Sequence, residues 1–301
     1  MTSFILILLA SIFFTGIVNR VKSITSGRKG PGILQPVKDV IRLFKKKPIY
    51  SKTTSFVFQV APGIYFASVI MAIMIIPLGE LKGIISFDGD FVFFAYILGI
   101  GKFFNIIGAL DTGSSFEGMG ASREALFSMF AEPAFFILMG SFALLTNHSS
   151  FQEIFTSMHF GSSITYVLGV LATIVLVMIA LVENSRMPFD DPKTHLELTM
   201  VHEVMVLDNS GFDLGLISLA TNLKFAMYGA LIANLYMGNF PLYLTIPIFL
   251  GIQFMFAISV GILESFTARF RMNRNPQYIL VLSSVSLLIF LGVLLVLGEF
   301  R

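Results

Sequence analysis

Eight runs of apolar residues constrain this chain more than any other feature, because each is near the roughly 20 residues that a helix needs to cross a hydrocarbon core of about 30 Å. They fall near residues 3–19, 56–79, 91–110, 125–146, 163–182, 212–236, 240–262 and 277–298. The strict alternation of barrel strands is absent, so the expected fold is an all-α integral membrane protein, one membrane domain over residues 1–301 with about eight transmembrane helices. The scarcity of charge agrees. Only 13% of residues are charged, against about 25% in soluble domains, and the mean hydropathy is +0.85.

Residues 20–52 hold half of the chain's 20 Lys+Arg. The positive-inside rule places this basic loop, residues 20–55, in the cytoplasm and both termini on the outer side of the cell membrane. Connections expected on the same side add Arg123, Arg186, Lys193, Arg269, Arg271 and Arg274, whereas the opposite loops hold Lys82 and Arg301. The first run follows no positive region and precedes a basic cluster, the pattern of a retained anchor and not of a cleaved signal. Within GRKGPGILQPVKDVIRLFKKKPI, Val37, Val40, Ile41 and Phe44 recur at helical spacing after a Gly/Pro break, predicting an amphipathic surface helix. Such a segment binds anionic lipid or docks a partner, and the Gly/Pro turn favours docking.

Acid is concentrated elsewhere. Between Glu183 and Asp213 lie Glu183, Asp190, Asp191, Glu197, Glu203, Asp208 and Asp213, out of 18 Asp+Glu in the whole chain. Asp191-Pro192 reads as a helix start, with Asp191 capping free amides and a short helix running to about Leu207. On that helix Leu196, Met200 and Glu203 share a face, and His195 and His202 share a neighbouring one. The segment is either a solvated loop balancing the basic one or a set of half-buried carboxylates suited to proton exchange.

Other charges sit inside the runs, where an ionisable group is a functional candidate by default. Glu132, in FAEPAFF, is a proton site or the partner of Arg123. Glu183 ends the fifth run, and Arg186 three residues on is its natural partner, so the two form a structural pair or a proton site. Lys102 and Lys224 extend the same polar chain, although Lys102 is long enough to snorkel.

Several chemistries are excluded. His202-Glu203 opens like a zinc-protease helix, but Val206 stands where the second histidine belongs. No phosphate-binding Walker loop occurs, and the four histidines do not pair across the membrane to hold a haem. The chain has no Cys, so it supplies no thiolate for an iron–sulfur cluster. Any redox centre is therefore expected on a partner; no catalytic residue, cofactor, metal or nucleic acid is expected on this chain.

Three stretches carry a resemblance. GPGILQP, GASREALFSMFAEP and ENSRMPFD resemble the signatures of the H-subunit family of respiratory complex I and its relatives in membrane-bound hydrogenases, and the similarity covers nearly the whole chain. It implies that Glu132, Glu183, Asp190, Glu197 and Glu203, organised by Arg186 and continued by Lys224, form an acidic funnel carrying a redox signal toward proton-pumping subunits. After ENSRMPFD the chain departs from the quinone-reducing version, and THLELTMVHE is similar to the formate hydrogenlyase and hydrogenase-4 branch. The implied partners are a [NiFe] hydrogenase-like large subunit, a small iron–sulfur subunit and antiporter-like membrane subunits, with a quinone doubtful. Arg28, Gly32, Gln35, Asp39, Asp191, His195 and His202 are the expected docking residues for the peripheral module. The alternatives are a quinone-site subunit of an NADH:quinone oxidoreductase and a stand-alone ion transporter.

Overall fold

The computed structural model describes residues 1–158, 163–190, 200–237, 240–270 and 274–298. Eight helices in it are long and apolar enough to cross a membrane: α1 (Thr2–Thr25), α3 (Phe56–Ile75), α4 (Asp90–Asp111), α5 (Ser115–Thr146), α7 (Ser163–Glu183), α9 (Gly211–Met237), α10 (Leu242–Phe266) and α11 (Asn275–Leu297). Three short helices join them: α2 (Gln35–Phe44), α6 (Phe151–Ser157) and α8 (His202–Met205).

The spans coincide with the apolar runs, and the differences at their ends have local causes. The second span stops at Ile75 because Pro77 forces Ile76 into extended backbone. The first continues to Thr25 and takes Arg20 and Lys22 into the helix. The fourth begins at Ser115, about three turns before its apolar run, because buried Glu117, Ala121 and Glu124 face protein there and not lipid.

Helix α9 is the axis of the bundle. Every residue from Leu223 to Leu235 is buried, as expected of a helix surrounded by others on all sides. Ala226, Gly229, Ala230 and Ala233 let neighbouring backbones approach closely. Gly229 faces the Gln253 amide of α10, which donates to the Ala226 carbonyl at 2.7 Å. Phe14 of α1 stacks on Phe225 at 4.9 Å and packs on Phe256 of α10 at 5.3 Å, closing that side.

At one end of the bundle Asn234 donates to the Pro77 carbonyl at 2.7 Å and accepts from the Gly79 amide at 3.1 Å. Buried Asp90 accepts from the Phe151 amide at 2.7 Å and from Ser150 at 3.0 Å, which fixes α6, a helix the apolar runs do not reveal. At the other end the loop before α2 folds back against α1, and the Ile33 carbonyl occupies the place a side chain at position 16 would need, hence Gly16.

One expectation is met and one corrected here. Helix α2 forms as predicted and turns Val40, Leu43 and Phe44 inward, with Phe44 against Phe212 at 5.3 Å, while Ile41 is 49% exposed. The helix expected through Leu207 is in its described part only α8: Met200 and Val201 are not helical, so the proposed alignment of Met200 with Glu203 on one helix face does not form. Asp191, His195, Glu197 and the expected start at Pro192 lie outside the described residues.

Candidate functional site

Four spans bring buried charge together. Glu183, the last residue of α7, receives Lys102 of α4 at 2.6 Å on one carboxylate oxygen and Lys224 of α9 at 2.7 Å on the other. Lys224 also donates to the Glu183 carbonyl at 2.9 Å, and Glu124 of α5 lies 3.5 Å from Lys102. All four side chains are less than a tenth exposed. Charges so deep persist only when paired, and here each lysine has a carboxylate partner.

The turn after α7 explains why Glu183 pairs this way. The Arg186 amide donates to Leu181 at 2.8 Å and the Ser185 amide to Val182 at 3.1 Å, with Ser185 in the left-handed region at φ 48°. This helix-terminating motif normally has glycine at that position. It sends the chain away from the helix axis, so the expected Glu183–Arg186 pair does not form. Arg186 instead meets Glu264 of α10 at 3.3 Å and lies over the Phe225 ring at 5.1 Å, and Glu264 also takes Lys22 of α1 at 3.0 Å.

Glu132 faces the triad from α5 across a cavity of about 30 Å³ lined by Lys102, Glu183 and Tyr228 among apolar residues. That is room for one water with several polar partners. On its other side Glu132 lines a groove of about 640 Å³ between α4 and α5, walled by Tyr96, Phe103 and Met129. Its alternative partner Arg123 is nine residues away on the same helix, about 13 Å by helical rise. Arg123 donates to the Met200 carbonyl at 2.9 Å and ties α5 to the acidic segment.

Below the triad is a chamber of about 320 Å³. Its lining includes Asp39, Asn184, Arg186, Asp190, His202 and Glu203, facing apolar residues of α2 and a mixed face of α9. Asp190 pairs with Arg269 at 2.8 Å and accepts from the Val201 and His202 amides at 3.0 and 3.2 Å. Asp190 thus holds the start of α8. Of the expected docking residues, Gln35 donates to Asp39 at 2.8 Å, Asp39 and His202 line the chamber, and Arg28 and Gly32 are exposed on the loop before α2. Outside the spans Tyr50 is pushed up to about 12, first by burial and then by Asp213, which its hydroxyl contacts.

Asp190, Arg186 and Glu203 therefore meet around the chamber, while Glu183, Lys224 and Glu132 meet deeper in the bundle. Glu124 and Glu264 are partners that the apolar runs do not reveal, because each falls just outside its run, 125–146 or 240–262, and joins a span only through the extension of α5 or α10 beyond it. Among the described residues no group of three His, Cys, Asp or Glu is placed to hold a metal ion.

Eight spans closed around a buried ion-pair network define a multi-pass membrane protein. The chain belongs to the NADH dehydrogenase family, which it matches over residues 1–296, and is a membrane subunit of an oxidoreductase complex of complex I or hydrogenase type. It is similar to hydrogenase-4 component C of Escherichia coli, 28% identical over 77% of this chain and 73% of that one. Formate hydrogenlyase subunit 4 of the same organism is 25% identical over 70% of this chain and 67% of its own length. The H-subunit of NADH-quinone oxidoreductase from Flavobacterium psychrophilum is 24% identical over 79% and 74%. A chain of an archaeal membrane-bound sulfane sulfur reductase has the same fold, with a TM-score of 0.80, 19% identity and 96% coverage of both chains.

Proposed function

We propose that this chain is the membrane subunit of a hydrogenase-type, formate hydrogenlyase-like complex. It anchors a peripheral [NiFe] and iron–sulfur module through residues 20–55 and 183–213 on the cytoplasmic side, and couples that module's electron transfer to proton or sodium movement. The observation that carries the reading is the Lys102–Glu183–Lys224 triad, set between the chamber under those segments and Glu132 at the α4–α5 groove. A change of charge at the chamber wall, where Asp190 and Arg186 stand, alters the field on nearby Glu183. Lys102, held between Glu183 and Glu124, then shifts its share between the two carboxylates, and Glu132 exchanges its ion toward a neighbouring antiporter-like subunit at the groove. The electron-carrying cofactors belong to the partners, and a quinone is not required.

Similarity to hydrogenase-4 component C and formate hydrogenlyase subunit 4 supports the hydrogenase branch. The second reading, a quinone-site subunit, is favoured by the chamber itself, whose size and mixed wall suit a small ring-shaped head group. Composition and activity of the complex purified through this chain discriminate them. A [NiFe] large subunit and hydrogen-dependent activity support the first reading; quinone-dependent activity blocked by quinone-site inhibitors supports the second.

A further inference from the structure

The end of the bundle that carries Arg269 has a feature the charge network does not use. The second half of α7, the end of α10 and the first turn of α11 leave a groove of about 350 Å³, lined by Ile174, Met178, Leu181, Pro188, Leu263 and Tyr278. Ile174 and Leu263 stand exposed on its rim. Through Thr267 it adjoins a second depression of about 460 Å³, lined by Arg269, Phe270 and Arg274. The two are held in register, because the Phe270 amide donates to the Pro188 carbonyl at 2.9 Å and the Phe270 and Tyr278 rings lie 5.8 Å apart. Arg269 pairs with Asp190, whereas Arg274 is exposed just before the first turn of α11. An apolar trough inside the span depth thus runs out, at the end of the spans, onto a cationic floor.

We propose that this composite groove binds one anionic phospholipid, with an acyl chain in the trough between α7, α10 and α11 and the phosphate at Arg274. The combination selects the ligand. A cationic depression alone would take any anion, and an apolar trough alone would take any hydrocarbon; only an amphiphile with a negative head satisfies both. A partner's spanning helix is a poorer match, since the trough follows α7 only from Thr173 to Leu181, about 12 Å of helix against the roughly 30 Å a span must cover. Because Arg269 beside the head-group site also holds Asp190, the lipid buttresses the segment whose amides Asp190 fixes. The proposal is independent of the hydrogenase or quinone reading.

The test is native mass spectrometry of the full chain in detergent micelles, titrated separately with dioleoyl phosphatidylglycerol and dioleoyl phosphatidylcholine. One phosphatidylglycerol should be retained in preference to phosphatidylcholine. Arg274→Gln should weaken that binding about fivefold, the worth of one basic side chain at an anionic head group. Leu263→Trp, which fills the trough without changing charge, should weaken it as well, with melting curves confirming that both variants fold. Equal retention of the two lipids, or unchanged phosphatidylglycerol binding in both variants, overturns the proposal. So does binding that survives Leu263→Trp but not Arg274→Gln, which marks a bare anion site. A partner subunit's helix in the groove of the purified complex also overturns it.

Discussion

Lys102 and Glu183 meet at 2.6 Å in the interior of the bundle, and the same carboxylate holds Lys224 at 2.7 Å on its other oxygen. One acid therefore holds two lysines from two different spans, and Glu124 supplies Lys102 with a second carboxylate. Removing one member of a buried ion pair strands its partners, at a cost of about 3–5 kcal/mol. Glu183→Gln is expected to destabilise the purified chain by that amount, and Glu183→Gln combined with Lys224→Met to recover part of it, about 1–3 kcal/mol, because Lys102 keeps Glu124 while Lys224 loses its carboxylate partner. Thermal melting of the single and double variants in detergent measures both, and a double variant no more stable than Glu183→Gln would refute the pairing.

Glu264 ties Arg186 and Lys22 together, but the two pairs differ in burial: the Arg186 side chain is 8% exposed and that of Lys22 is 21%. Glu264→Ala should cost about 3–5 kcal/mol by leaving a buried guanidinium uncompensated. Lys22→Met should cost about 1 kcal/mol or less, as a partly solvated pair does. Chemical or thermal unfolding of both variants gives the ranking, and a larger loss for Lys22→Met would contradict it.

Asp190 accepts from the Val201 and His202 amides at the start of α8, so Asp190→Ala removes a cap worth about 0.5–2 kcal/mol and releases Arg269. Hydrogen exchange at Val201 and His202 should quicken while exchange along α9 stays as it was. Unchanged protection at those two amides would show that Asp190 does not hold the segment.

Gly16 lies where the Ile33 carbonyl leaves no room for a side chain. Gly16→Val should push the loop before α2 off α1 at a cost of about 1–3 kcal/mol. If residues 20–55 anchor the peripheral module, less of that module should copurify with this variant than with the unaltered chain. Full recovery of the module with Gly16→Val would separate the loop's position from docking.

Length and apolarity made the spans legible, because a helix in lipid must satisfy every backbone group within itself and needs a minimum run to cross. The pairings were not legible. Lys102 and Glu183 are 81 positions apart, Lys224 and Glu183 are 41 apart, and Arg186 and Glu264 are 78 apart, so only the packing of α4, α7, α9 and α10 brings them together. Local spacing suggested Glu183 with Arg186, and it failed because α7 ends between them in a left-handed turn at Ser185. Asp190 reaches across eleven positions to the Val201 amide, a contact that local spacing does not announce, while the expected cap at Asp191 lies outside the described residues. Glu132 falls within an apolar run, but its place between a water-sized cavity and an open groove depends on neighbours that sequence does not reveal.

The central claim, that the buried acids couple redox chemistry to ion movement, is tested most directly with Glu132→Gln. The complex carrying this variant is reconstituted into sealed vesicles, and the ion gradient is followed alongside electron transfer. The account predicts that the gradient is lost while electron transfer and assembly persist, since Glu132 lies at the α4–α5 groove and away from the chamber. A gradient equal to that of the unaltered complex at the same electron flux would contradict it.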